Sequence, residues 1–241
     1  MRKQNIALAA TLVGLAGFDF GAASQSSRLP LTPVSRADLC VTEGSITESG
    51  RQLFVSVPKM RAYVDAITPQ VVEVHFKYLG STGNEARLGS GELRRQFGLK
   101  LLAQDGCNLV YAMWRIEPES KLVVSVKSNP SQHTSAECGN RGYRNIKPRF
   151  SKPVPTLRPG DAYTMRAELS ATGMRVLVDD GLIWQGSVGP EVLSLTGPVG
   201  MRSDNARLEL ELRVPQPAED NPEKRQAVDP RRKTRTDRCV N

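Results

Sequence analysis

The feature that most restricts the fold is the run Leu208, Leu210, Leu212, alternating strictly with Glu209, Glu211 and Arg213. A period of two places the leucines on one face of an extended strand and the charges on the other, whereas a helix would scatter the leucines around its circumference. Upstream, Met174, Val176 and Val178 alternate with Arg175, Leu177 and Asp179, and Leu182-Ile183-Trp184 resumes the extended pattern up to Gly186. Between the two runs, Asp179-Asp180-Gly181 supplies residues that tolerate positive φ, as a two-residue hairpin turn demands. The region therefore reads as antiparallel sheet with at least one wetted face.

The same periodicity recurs upstream. Val72, Val74, Phe76 and Tyr78 form a candidate core face, with Val71, Glu73, His75 and Lys77 opposite. Residues 90–102 read as a strand placing Glu92, Arg94 and Gln96 at alternate positions, with Leu93, Arg95 and Phe97 between them. Residues 108–116 put Tyr111, Met113 and Arg115 on one side and Val110, Ala112 and Trp114 on the other. Residues 121–127 send Leu122, Val124 and Val126 inward and Lys121, Val123, Ser125 and Lys127 outward. Residues 128–159 lose the pattern in a proline- and glycine-punctuated connection, of a length usually functional or stapled in a compact domain.

Gly197-Pro-Val-Gly-Met-Arg-Ser-Asp-Asn205 followed by an alternating strand, with the Asp-Gly hairpin before it, resembles the closing half of concanavalin A-like lectin/glucanase domains of the LamG kind. The resemblance implies an all-β fold, a jelly-roll β-sandwich of two curved antiparallel sheets. That superfamily contains lectins, glycoside hydrolases, polysaccharide lyases and adhesion modules, so the fold alone does not select an activity. The resemblance also implies that a hollow sheet face carries the saccharide groove, and that Asp204 and Asn205 could bind calcium as oxygen ligands do in some relatives. Turn capping is the competing role for both, and no other cofactor or metal site is expected.

At 241 residues the chain suffices for one sandwich plus tails. Residues 1–24 read as an export signal: Arg2 and Lys3, an apolar stretch from Ile6 to Phe18, then Gly21-Ala-Ala-Ser24. Residues 25–38 read as a Ser/Pro-rich linker, 39–214 as the sandwich, and 215–241 as a charged disordered tail. No later segment is long and apolar enough to span a bilayer. Four cysteines outside any Cys-x-x-Cys spacing fit disulfides in a secreted or periplasmic protein. Of the three pairings, Cys107–Cys138 with Cys40–Cys239 is favoured. The formal charge is +8; residues 1–24 hold two cations and one anion, so their removal leaves about +7. For an exported protein this surplus points to an anionic polymer or membrane surface rather than nucleic acid.

If the strands align, His75, Lys77, Glu92, Arg94, Gln96, Tyr111, Arg115 and Lys127 share one sheet face and form the candidate glycan site. Arginines there would grip carboxylates or sulfates, Tyr111 would stack on a sugar ring, and Glu92 and Gln96 would bond hydroxyls. The expected function is glycan binding with a preference for anionic polysaccharide. Two alternatives stand beside it: a polysaccharide lyase and a non-catalytic structural or adhesion module. Ser90-Gly-Glu92-Leu-Arg94-Arg-Gln96 resembles the Arg-Ser/Thr-Glu-Leu-Arg strand of jelly-roll alginate lyases, with the leading arginine displaced to Arg87. Those lyases' Gln-Ile-His and Tyr-x-Lys-x-Gly-x-Tyr runs are absent here, so His75 or Tyr111 would serve as base and acid in their place, with Arg94 and Gln96 neutralising a uronate. The Glu-x-Asp-x-x-Glu run of the superfamily's laminarinase-like branch is absent, so hydrolysis is disfavoured against elimination. The sequence leaves the protein's status as an enzyme open.

Overall fold

The computed structural model describes residues 30–64 and 70–215. The proposed signal segment, the Cys239 half of the Cys40–Cys239 pairing and nearly all of the proposed tail lie outside the described residues. In chain order the strands are β1 (Leu31–Pro33), β2 (Leu39–Glu43), β3 (Thr47–Ser49), β4 (Gln52–Val55), β5 (Lys59–Val64), β6 (Val71–Ser81), β7 (Arg95–Leu101) and β8 (Leu109–Glu117). They continue as β9 (Lys121–Lys127), β10 (Tyr143–Asn145), β11 (Phe150–Ser151), β12 (Ala162–Ser170), β13 (Gly173–Val178), β14 (Gly181–Gly186), β15 (Gly200–Asp204) and β16 (Ala206–Pro215). Two single-turn helices, α1 (Ser135–Cys138) and α2 (Pro190–Leu193), interrupt the loops.

These strands form two antiparallel sheets, a jelly-roll β-sandwich. One runs β11-β14-β13-β12-β6-β16-β4-β3 with β1 on β16; the other runs β10-β9-β8-β7-β15-β5-β2. Period-two burial decides which side of each strand enters the sandwich. Val72, Val74, Phe76 and Tyr78 are buried from β6, Phe97 and Leu99 from β7, and Val110, Ala112 and Trp114 from β8. The two sheets meet through Phe76 and Phe97, ring centroids 4.4 Å apart, with Trp114 edge-on to Phe76 at 5.5 Å. Each large side chain so buried contributes about 1.5–3 kcal/mol. Trp184 is likewise buried, consistent with packing.

The turns carry the backbone geometry that their residues allow. Asp179 and Asp180 adopt φ 46° and 63° between β13 and β14, as the hairpin reading required. Asn205, φ 59°, is the single residue between β15 and β16 and is where the chain crosses from one sheet to the other.

Three local expectations change. Leu31–Pro33, within the stretch read as linker, pairs with residues 213–215 of β16. The strand read over residues 90–102 begins only at Arg95, because a turn through Gly91, φ 82°, with a Gly91 N–H donating to Leu88 O, occupies the preceding residues. The connection from 128 to 159 contributes two short edge strands, β10 on β9 and β11 on β14. The Cys107–Cys138 disulfide staples it, with Cα atoms 5.9 Å apart. No helix of the described residues is long and apolar enough to cross a membrane.

Candidate functional site

The outer face of the seven-stranded sheet is built from the residues that alternate with the core. On β8 these are Tyr111, Met113 and Arg115; opposite them on β7 stand Lys100, Gly98 and Gln96. Across β7, β15 presents Gly200, Arg202 and Asp204, and β5 then presents Tyr63, Arg61 and Lys59. On the other side Ser125 and Lys127 of β9 lead to Tyr143 of β10. This face is largely covered: Gln96, Lys100, Tyr111, Lys127 and Asp204 are all buried.

Asp204 is the anionic hub. Its Oδ2 accepts from Arg202 Nε at 2.8 Å and from Gln96 Nε2 at 2.7 Å, while Oδ1 accepts from Arg61 Nη2 at 2.7 Å. Burial pushes its carboxyl up, but the guanidinium charges of Arg202 and Arg61 outweigh this and hold it below the usual carboxylate range. Arg202 then reaches past Gly98, which has no side chain to obstruct it. Its guanidinium lies over the Tyr111 ring at 5.4 Å, and Nη1 donates to Tyr143 Oη at 3.2 Å. Tyr111 and Tyr143 stack at 6.0 Å, and Lys127 Nζ sits 5.3 Å from the centre of the Tyr143 ring.

Above this layer opens a groove of about 200 Å³, with Gln96, Tyr111, Met113, Arg115 and Arg202 in its lining. One wall is the β6–β7 loop, carrying Glu92 and Arg94, which pair with each other. The Asn205 side chain pins this loop, accepting from Ala86 N–H and donating to the Ala86 and Arg94 carbonyls. The other wall is the disulfide-stapled segment, with Asn140, Tyr143 and Asn145. Arg115 makes no ion pair or hydrogen bond with any described residue, and its Nε is buried without a partner. Burial, and then the charge of Arg94, push its guanidinium pKa down.

Of the eight candidate site residues, Glu92, Arg94, Gln96, Tyr111 and Arg115 line this one groove, and Lys127 lies next to it beneath Tyr143. His75 and Lys77 do not join them. They stand on β6, on the outer side of the other sheet, because Phe76 between them points into the core. There His75 Nε2 lies 2.7 Å from Glu73 Oε1, in a separate groove with Thr164, Arg166 and Arg213. A lyase arrangement combining His75 with Arg94 and Gln96 is therefore not assembled. Of the two candidate bases only Tyr111 shares the groove, and burial pushes its hydroxyl well above the usual tyrosine range.

Asp204 and Asn205, named above for calcium or turn capping, both make hydrogen bonds within the protein. Asp204 is wholly engaged by two guanidinium groups and an amide, and Asn205 by loop backbone groups. Among the described residues no cluster of three or more His, Cys, Asp or Glu could hold a metal ion.

Sequence reading missed Arg61, Lys100, Tyr143 and Arg202. The parity that selected Gln96 also selects Lys100 four residues on, and Arg202 shares a face with Asp204. Tyr143 sits in a stretch without periodicity and gave no signal.

No family model matches the chain, and no curated protein does. Solved structures with a similar fold include the carbohydrate-binding module CBM66 from Bacillus subtilis, at 13% identity over 72% of this chain and 91% of that one, TM-score 0.47. The carbohydrate recognition domain of Emp46p matches at 12% identity over 73% and 88%, TM-score 0.46. The Crh5 transglycosylase in complex with NAG matches at 10% over 77% and 83%, TM-score 0.45.

Proposed function

We propose that this protein is an exported glycan-binding β-sandwich that takes an acidic sugar unit into the groove on the outer face of its seven-stranded sheet. The observation that carries the reading is Arg115, a half-buried guanidinium lining a groove with no anion of its own to neutralise it. Arg94 and Arg202 line the same groove, and Lys100, Lys127 and Arg61 lie beside or below it. The acids whose charge reaches this face are engaged by other cations: Glu92 by Arg94, Glu119 by Lys121, and Asp204 by Arg61 and Arg202. A surplus of donors in fixed positions suits a carboxylate or sulfate, for which planar guanidinium forks are well matched.

The groove is smaller than the ~300–1,000 Å³ of ordinary small-molecule pockets, so it suits one unit of a polymer lying along the surface. Binding is favoured over hydrolysis because two carboxylates must face one sugar for that chemistry. Here Glu92 is tied to Arg94, and Asp204 is sealed beneath the groove. Export is supported by the signal-like composition of residues 1–24 and by the Cys107–Cys138 disulfide.

A glycan array carrying neutral and acidic oligosaccharides, probed with the wild-type protein and with Arg115→Gln, tests the reading. Binding to acidic glycans is expected, weakened about tenfold or more by the substitution, in line with the loss of a charge-assisted hydrogen bond. Exclusive binding to neutral glycans, or no binding at all, would refute it.

A further inference from the structure

Lys100 is a cation of this face that does not itself line the groove. It stands on β7 between Tyr111 of β8 and Gly200 of β15, next in register to the residue whose ring Arg202 covers. It is only 6% exposed, and among the described residues its Nζ has neither a hydrogen bond nor an ion pair. The groups around it come from every neighbouring strand. Tyr111 faces it from β8, Arg202 and Asp204 from β15, Tyr63 and Arg61 from β5, Glu43 from β2, and Lys127 and Tyr143 from β9 and β10. The acids in that set are committed elsewhere. Asp204 binds both arginines, and Glu43 lies 3.7 Å from Arg61. A protonated Lys100 is thus a buried ammonium beside two guanidinium groups, without an anion of its own.

An acidic ligand supplies the missing charge. Resting on the proposed glycan-binding role, we infer that binding of an anionic group beside Arg202 and Tyr111 is coupled to protonation of Lys100, so that the complex takes up a proton and tightens as the solution is made more acidic. In the empty protein, burial first, and then the charges of Arg61 and Arg202, hold the Lys100 ammonium down to a pKa of about 7, so at mildly alkaline pH the amine is mostly neutral. An anion nearby favours the charged form, raises that pKa, and by linkage draws in a proton. Lys127 is the other lysine of the face. Its Nζ lies 5.3 Å from the centre of the Tyr143 ring but already donates to Gly106 O at 3.0 Å, so the coupling is assigned to Lys100.

Isothermal titration with a uronic-acid tetrasaccharide and, separately, a sulfated tetrasaccharide, at pH 6, 7, 8 and 9, tests the inference. Each titration is run in two buffers of different ionisation enthalpy, so the proton count is read from the wild-type protein without any substitution. Uptake approaching one proton is expected at pH 8, falling toward zero at pH 6, with affinity weakening by up to about tenfold per pH unit above neutrality. In Lys100→Met both effects should vanish, leaving an affinity close to the wild-type value at pH 9; a thermal melt at each pH reports whether the variant is folded. Binding without proton uptake overturns the inference and leaves the glycan-binding reading intact. So does uptake that persists in Lys100→Met, which would assign it to another group. Failure of both probes to bind at every pH overturns the two together.

Discussion

Arg202 Nε and Asp204 Oδ2 lie 2.8 Å apart, on alternate residues of one strand, with the carboxylate fully buried. Both side chains consequently share a sheet face, and the acid fixes the arginine while the arginine's far end spans to Tyr111 and Tyr143 on other strands. The groove floor is therefore held by a charged group that no ligand touches.

Replacing that acid isolates two cations. Asp204→Asn leaves Arg61 and Arg202 without their anion and should cost ~3–5 kcal/mol, since removing one member of a buried pair strands its partners. The pH dependence follows from the depressed carboxyl. Stability from this group is complete above the ordinary aspartate range and is lost as pH falls through the lower folded-state value. Urea denaturation at pH 7 and at pH 3 should show a large gap between wild type and variant at pH 7 and a smaller one at pH 3.

The glycine opposite Arg202 is as necessary as the acid. A Cβ at Gly98 would come within 2.1 Å of Ala112 O, a backbone atom of the paired strand that cannot move aside cheaply. Gly98→Ala should cost about 1–3 kcal/mol by overpacking. It should also weaken binding of acidic glycans more than the stability loss explains, because Arg202 crosses that position. Chemical denaturation and a binding isotherm on the same preparation separate the two effects.

Lys100 predicts a stability trend in the absence of any ligand. Its folded-state pKa of about 7 lies below that of an unfolded lysine, so the unfolded chain binds more protons at intermediate pH. The penalty is present in full below pH 7 and is relieved as pH rises toward the unfolded value. Lys100→Met should exceed the wild type in stability by ~1–4 kcal/mol at pH 6, with the difference shrinking by pH 10, measured by thermal melts across that range.

Much of this architecture was legible because period-two alternation sorts side chains to the two faces of a strand. Trp114 and Phe97 read as inward, Gln96, Tyr111 and Arg115 as outward, and the structure places them so. What alternation does not carry is the identity of the sheet. His75 and Gln96 are both outward from their own strands, yet they stand on opposite sides of the sandwich, since Phe76 and Phe97 meet in the middle. Outward parity also says nothing about cover. Lys100 and Asp204 occupy the kind of position that is ordinarily wet, and only the loops and side chains folded over the sheet bury them. The walls of the groove come from residues 85–94 and 138–145, where position is set by the Asn205 side chain and by a disulfide rather than by any repeating pattern.

The central claim is that an acidic glycan is gripped on the seven-stranded face and not on the opposite one. Nitrogen-15 NMR of arginine side chains and histidine rings, recorded while a uronic-acid tetrasaccharide is titrated in, tests this directly. The Arg115 and Arg202 Nε–H signals are expected to shift in a saturable way while the His75 ring signals stay fixed. A saturable shift of His75 with Arg115 and Arg202 unmoved would contradict it.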